Sequence, residues 1–462
     1  MGPYVHVFFI DDRYYLYDVN TNQIVEIGQK LYHSFLRNDV VNTIEVQALK
    51  EKGLLSENRM KHNYNPVNEM LDDILESNLE TLLLQVTQNC NLRCEYCMYS
   101  GQYEDIRTHG NLAMSEDIMK KAVNYLIRHS SKSPEITVGF YGGEPLVNFE
   151  LISKTVNYIK MNIANKIVNY TMTTNATLLN PSICQFLVKN NFKLQISIDG
   201  EERVHDNNRK YINREGTYED VIDRLNYIYK MYPNYYFYNV SFNAVIDPRI
   251  TNFEEEILFF SHNDLFKLIR PKLSSINMVY KNKLEVEEEK IDINVLKKRK
   301  MEVLYYYLLF SNQTDHAEFN ILHKLYSIDK FAGDLENKFS RIPPYYTHAG
   351  ICIPGIARLF VNAKGDYFPC EKVNERSDTY RIGSVQSGIS KDKVVSLLNI
   401  GRLTEEKCKN CWAIRFCTIC LARIDMERYN VNNMLKRCEA VRRQAEKMLK
   451  SYVVLEYYKK IT

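Results

Sequence analysis

The sequence predicts an α/β protein built around a parallel sheet or barrel, with a small strand-rich segment before it in the chain and a cysteine-dense segment after it. Three observations carry this. From about Glu80 onward, strand-like and helix-like stretches alternate as repeated βα units do. Before residue 66, three short strand-like runs precede two short helical ones. The eleven cysteines, an odd number for disulfide pairing, cluster at short spacings, which in a chain without secretory signals argues for metal rather than crosslinks.

The first segment reads as strands at Tyr4–Ile10, Tyr14–Tyr17 and Ile24–Ile27, separated by turns at Asp11–Asp12 and Asn20–Asn22. Leu31, Phe35 and Leu36 then share one helical face, and a second helix runs from about Ile44 to Lys52 and stops near Gly53. In the alternating segment, strands are expected at Thr81–Val86, Glu135–Phe140, Val168–Met172, Lys193–Ile198, Tyr236–Val245 and Ile276–Tyr280, with a helix over Glu116–Arg128 capped by Ser115. Ligand sites in such folds lie at the carboxyl ends of the strands. Residues 283–345 are charged and helical, with an amphipathic run over Met301–Leu309, and a closing helix is expected from about Cys438 to Tyr452.

At 462 residues the chain exceeds what one compact core holds, so two or three domains are expected. Hydrophobic residues make up 45% and charged residues 25%, and the formal net charge is +3, an ordinary globular balance that implies no polyanionic partner. Lys297–Lys300 is a short basic run on a helix face. Met1–Arg13 is soon interrupted by acids, and nowhere do eighteen apolar residues run together. A cytoplasmic protein without nucleic-acid or membrane partners is the expectation.

Chemistry is densest in Gln85–Cys97, where Cys90, Cys94 and Cys97 put three thiols into a C-x3-C-x2-C loop directly after an apolar strand. Thiolates are the soft ligands of Fe–S clusters, and three of them grip three corners of a four-iron cube. A zinc loop is the alternative, but zinc ligands usually come as paired C-x2-C units or as Cys with His. Gly142-Gly143-Glu144 follows the next expected strand, and glycines there admit close backbone approach while a carboxylate receives a cation. Thr174-Asn175 ends the third strand, Ser197-Ile-Asp199 ends the fourth, and Arg209 follows, with Arg214 as a second candidate guanidinium. Cys184 reads as a buried helix thiol.

Near the carboxyl end stand Cys352, then twelve residues to Gly365 and four to Cys370, and then Cys408-x2-Cys411-x5-Cys417-x2-Cys420-x17-Cys438. A zinc ribbon of Cys408, Cys411, Cys417 and Cys420 is an alternative that leaves the other three cysteines unexplained. Glu371 directly follows Cys370 and is either a general base or a salt-bridge partner.

These motifs together resemble the radical S-adenosylmethionine (radical SAM) enzymes that carry a SPASM domain. The three-cysteine loop with Tyr96 before its last cysteine, the Gly-Gly-Glu turn and the two strand ends match that family. The resemblance implies a partial (β/α)6 radical SAM barrel, TIM-like, with an N-terminal winged-helix-like domain and a C-terminal SPASM Fe–S domain. Its implied boundaries are 1–65 for leader-peptide recognition, 66–282 for the barrel, 283–345 for a helical bridge and 346–462 for SPASM.

It implies S-adenosyl-L-methionine as cofactor and three 4Fe–4S clusters. The first is held by Cys90, Cys94 and Cys97, whose open iron chelates SAM, with Tyr96, Gly142, Gly143, Glu144, Thr174, Asn175, Ser197, Asp199 and Arg209 as SAM contacts. The family more often has glycine at the position of Ala176. One auxiliary cluster is assigned to Cys408, Cys411, Cys417 and Cys438. The other, assigned to Cys352, Cys370 and Cys420, is one thiolate short and so open to a substrate thiol. The x2 gap between Cys417 and Cys420 departs from the family's usual x3. Glu371 matches the general base of the related sulfatase-maturing enzymes.

The implied activity is modification of a ribosomally made, cysteine-containing precursor peptide that carries a leader sequence. The expected product is a thioether between cysteine sulfur and carbon, made with a low-potential electron donor of flavodoxin or ferredoxin type. Carbon–carbon crosslinking, formylglycine formation and a zinc-binding adaptor are the other readings.

Overall fold

The computed structural model describes residues 2–103, 105–247, 252–269, 271–275, 288–336, 341–348, 352–423 and 431–461. The chain forms two compact units: Met1–Met70 with Ser327–Cys352 and Val395–Thr462, and Leu71–Tyr326 with Ile353–Val394.

In the first unit, β1 (Val5–Ile10), β2 (Arg13–Asp18) and β3 (Gln23–Ile27) form an antiparallel meander. Asp11 and Asn22 take left-handed conformations at its turns, which short polar side chains tolerate best after glycine. Strand alternation divides β2 between two cores. Leu16 packs with Leu31, Tyr32, Val46 and Leu49 from α1 (Gln29–Arg37) and α2 (Ile44–Glu51), the latter capped by Thr43. Tyr15 and Tyr17 face the other way, against Phe331, Ile414 and Leu449. Leu449 comes from a helix that spans Val431–Ile461 and so begins before the expected Cys438. The short strand β4 (His62–Asn63) pairs in parallel with Tyr345–Tyr346.

The second unit starts with α3 (Leu71–Ser77) and contains β5 (Thr81–Thr87), β6 (Glu135–Gly142), β7 (Ile167–Thr174), β8 (Lys193–Ser197), β9 (Val240–Ile246) and β10 (Lys272–Ser275), all parallel and side by side in chain order. This is the expected partial (β/α)6 arrangement. Beyond β5 the sheet continues through a parallel strand at Leu359–Val361 into an antiparallel ribbon starting at Asp366–Phe368. Helices α4 (Glu116–His129), α5 (Phe149–Asn162), α6 (Pro181–Lys189), α7 (Glu202–Asn208) and α8 (Tyr218–Met231) connect the strands. Ser115 caps α4 through the Ile118 N–H, as the sequence predicts, and Asn180 caps α6 through that of Ile183. Cys184 is buried on α6.

One element differs in kind. The run beginning at Tyr236 reads as strand because aromatics favour pleated surfaces, yet Pro233–Asn239 is helix and the strand starts only at Val240. Pro233 opens that helix with its fixed φ, and buried Tyr236 is tied by its hydroxyl to the Leu265 carbonyl at 2.8 Å, so tertiary contacts override propensity. The expected strand at 276–280 lies outside the described residues. In the bridge, the helix Glu288–Phe310 buries Met301, Tyr305 and Leu308, the i, i+4, i+7 face of the amphipathic run. Among the described residues, no helix is long and apolar enough to cross a membrane.

Candidate cofactor-binding site

Because β5 to β8 are parallel neighbours, Thr87, Gly142, Thr174 and Ser197 end at one edge of the sheet, and the sequence motifs follow those ends. Backbone pairing locks two of the motifs together. The Gly143 N–H donates to the Thr87 carbonyl at 3.0 Å and the Glu144 N–H to that of Asn89 at 2.9 Å. Both glycines are required: a Cβ on Gly142 would stand 2.2 Å from the Thr87 carbonyl oxygen, and one on Gly143 2.2 Å from that of Asn89. A second lock joins the cysteine loop to the end of β7, where Asn91, Asn175 and Thr177 close a ring of side-chain hydrogen bonds of 2.7–3.0 Å. Ala176 there has φ +66°, which explains why glycine suits this position better.

Cys90, Cys94 and Cys97 line one cavity of about 160 Å³ together with Tyr96, Gly142, Gly143, Glu144, Thr174, Asn175, Ser197 and Arg209. Thr173, which opens the third-strand-end motif, lines it too, and sequence reasoning missed Tyr141, Tyr99 and His109. Tyr141 stands beside a motif residue at a strand end, a signal that was readable. Tyr99 and His109 come from the irregular stretch after the loop, where no periodicity marks them.

Burial dominates the electrostatics. It pushes the Cys90 thiol up to about 12 and those of Cys94 and Cys97 upward too, with nearby arginines opposing. Buried thiols of this kind become thiolates when a metal takes the proton's place. Glu144, 2% exposed, accepts from Thr174 Oγ1 at 2.7 Å, the Asn175 N–H at 2.7 Å and the Leu146 N–H at 3.1 Å. Burial raises its carboxyl to about 7, with those hydrogen bonds opposing. A cation in the cavity would complete it. Three soft ligands and a desolvated carboxylate lining one cavity thus suit a thiolate-ligated cluster and an ammonium-bearing molecule in their chemistry.

Asp199 is one of the expected SAM contacts. It is fully buried and is not among the residues lining the cavity. Its oxygens are engaged by Arg209 Nε at 2.9 Å, Arg209 Nη2 at 3.0 Å, the Val245 N–H at 2.9 Å and the Tyr96 hydroxyl. It therefore positions Arg209 and Tyr96, which do line the cavity. Arg214 is paired with Glu95 at 2.9 Å on the surface, leaving Arg209 as the guanidinium of the site.

Glu371 is buried and held by Arg358 Nη1 at 2.8 and 2.7 Å to its two oxygens. It does not line the cavity, but its charge helps raise the Tyr141 phenol, after burial. A second buried carboxylate, Glu375, takes Arg107 Nε at 2.8 Å and Gln85 Nε2 at 2.7 Å, tying its loop to β5.

The first unit has a cavity of its own, about 410 Å³, lined by Cys408, Cys411, Cys417 and Cys438. Cys420 is not on its lining; Cys352 and Cys420 belong to this unit and Cys370 to the other. Among the described residues, no group of three His, Cys, Asp or Glu side chains stands as the ligand set of a single ion.

Residues 84–260 match the model of the radical SAM superfamily. An uncharacterized protein of Methanocaldococcus jannaschii is 33% identical over 201 residues, 42% of this chain and 64% of that protein, so the chain spans less than two thirds of this relative. A cysteine-type anaerobic sulfatase-maturating enzyme of Clostridium novyi is 25% identical over 355 residues, 72% of this chain and 85% of the relative. A structure of native anSMEcpe with bound AdoMet superposes with a TM-score of 0.59 at 20% identity, covering 83% of this chain and 99% of that one. A second, with AdoMet and the Cp18Cys peptide, gives 0.57 at 19%.

Proposed function

We propose, from the premise that residues 84–260 form a radical SAM domain, that this chain modifies a ribosomally made, cysteine-containing precursor peptide and links cysteine sulfur to carbon in a thioether. The observation that carries the radical reading is the convergence of Cys90, Cys94, Cys97, Glu144 and Arg209 on one cavity at the strand ends. When bound at those thiols, a 4Fe–4S cluster supplies the electron that splits SAM and yields a hydrogen-abstracting 5′-deoxyadenosyl radical. The chain's own residues do the holding. Glu144 receives the SAM ammonium, Arg209 its carboxylate, and Thr174, Asn175 and Ser197 offer hydroxyl and amide groups to the ribose. The Asp199 pair uses only Nε and Nη2 of Arg209, so Nη1 is left for the ligand.

The alignment with a sulfatase-maturating enzyme over 72% of the chain supports a polypeptide substrate and keeps formylglycine formation as the second reading. The cavity lined by Cys408, Cys411, Cys417 and Cys438 favours the expected auxiliary-cluster set over a zinc ribbon containing Cys420. An iron left open by an incomplete thiolate set takes a substrate thiol and lowers its pKa, which is the basis of the thioether reading. A leader peptide bound by strand addition to β1–β3, a low-potential flavodoxin or ferredoxin donor and a cytoplasmic setting complete the proposal.

Mass spectrometry of a genomically neighbouring peptide co-expressed with the enzyme tests it. A loss of two hydrogens per bond together with a blocked thiol fits the thioether. The same mass loss with the thiol free means carbon–carbon linkage, and loss of the cysteine sulfur means formylglycine.

A further inference from the structure

Of the four thiols that line the cavity of the first unit, Cys408 has polar neighbours that the cysteine spacing does not account for. It sits on a short helix, Glu405–Lys409, one turn after Thr404, and Thr404 Oγ1 lies 3.2 Å from its Sγ. Thr404 is buried and lines the same cavity. While the sulfur keeps its proton, either atom could donate. Once a metal takes that proton's place the sulfur can only accept, so the hydroxyl is the donor.

A second donor comes from the N-terminal part of the same unit. Asn63, on β4, gives one amide proton of Nδ2 to the Gly401 carbonyl at 3.0 Å, and its backbone N–H goes to Glu405 Oε1 at 2.8 Å. A Cβ on Gly401 would stand 2.4 Å from Asn63 Nδ2, so a glycine is what admits the amide beside this helix. Burial raises the Cys408 thiol, and the side-chain hydrogen bonds of Thr404 and Asn63 oppose it. Both groups thus favour the thiolate.

We propose that Thr404 is a positioning residue for the metal group held by Cys408, Cys411, Cys417 and Cys438, and that its hydroxyl, hydrogen-bonded to the Cys408 sulfur, makes that group easier to reduce. This rests on the reading of those four thiols as cluster ligands. A hydrogen bond to a ligand sulfur strengthens as reduction makes the sulfur more negative, so it favours the reduced state and makes the midpoint potential less negative. The cysteines set whether the cluster is present; Thr404 sets how readily it accepts an electron.

The test uses the full chain, reconstituted with iron and sulfide, in a background where Cys90, Cys94, Cys97, Cys352 and Cys370 are changed to Ala so that neither other thiol set is complete. Iron content and EPR-monitored redox titration are compared for this parent, for Thr404→Val, which keeps the shape and loses the hydroxyl, and for Thr404→Ser, which keeps the hydroxyl. Iron is expected in all three, with the Thr404→Val midpoint more negative by up to about 59 mV, a tenfold lower reduced-to-oxidised ratio for a one-electron couple, and the Thr404→Ser midpoint near the parent's. Iron lost in Thr404→Val but kept in Thr404→Ser also supports the inference, since the hydroxyl is then what the cluster needs. Equal midpoints in all three proteins, a less negative one in Thr404→Val, a Thr404→Ser midpoint that matches Thr404→Val, or iron lost from both variants overturns it. A parent without iron overturns the cluster reading itself, and the inference with it.

Discussion

Asp199 and Arg209 meet as a buried fork-to-fork pair, Nε to Oδ2 at 2.9 Å and Nη2 to Oδ1 at 3.0 Å, with side chains 0% and 8% exposed. Removing one partner strands the other's charge in a dry interior, which costs about 3–5 kcal/mol. Asp199→Asn therefore lowers the urea midpoint strongly, and adding Arg209→Met recovers part of the loss while leaving SAM binding impaired. A single variant as stable as the parent contradicts the pairing.

Glu144 gives a pH dependence of unusual sign. Its carboxyl is raised in the fold from 4.5 to about 7, so the folded protein holds a proton that the unfolded chain releases. Stability falls as pH rises from about 4.5 to about 7, by about 3 kcal/mol in total. In unfolding measured at pH 5 and pH 8, Glu144→Gln lacks this component. On the proposed pairing of this carboxylate with the SAM ammonium, SAM binding tightens across the same window in the parent and not in the variant. An identical slope in both proteins contradicts the assignment.

Gly143→Ala places a methyl 2.2 Å from the Asn89 carbonyl oxygen and pushes the Gly-Gly-Glu turn off the cysteine loop. Backbone cannot yield as a flexible side chain does. Iron bound at the first site and SAM affinity both fall at least tenfold in this variant. Gly110→Ala, whose Cβ meets nothing nearer than the Gln88 side chain at 3.4 Å, leaves both unchanged. Full iron in Gly143→Ala contradicts the lock.

Trp412, the chain's one tryptophan, stacks on His6 at 3.7 Å and an interplanar angle of 4°, next to Cys411. Tyr4 donates to the Cys411 carbonyl at 2.7 Å, and Arg415 donates to the carbonyls of Val19 and Asn20. The N-terminal strands thus support the cysteine-bearing loop directly. Deleting residues 1–28 is expected to shift the Trp412 emission to the red and lower iron content, so the truncation is not a clean probe of leader binding. Unchanged emission contradicts this packing.

Much of this was legible before folding. Apolar runs bounded by turn residues located β5 to β8, and the motifs after them, Cys90–Cys97 and Gly142–Glu144, do share a cavity. Asp199 was legible as a strand-end carboxylate but its pairing with Arg209 was not, because such a carboxylate looks the same in sequence whatever it faces. The helix at Pro233–Asn239 was missed since four aromatics in a row satisfy strand propensity, and only the buried Tyr236 contact decides otherwise.

Anaerobic SAM cleavage tests the central claim most directly. Reconstituted protein reduced with dithionite is predicted to convert SAM to 5′-deoxyadenosine, and Cys94→Ala, which removes one thiol from the cavity wall, to form none. A parent that holds its iron and binds SAM yet releases no 5′-deoxyadenosine contradicts the account.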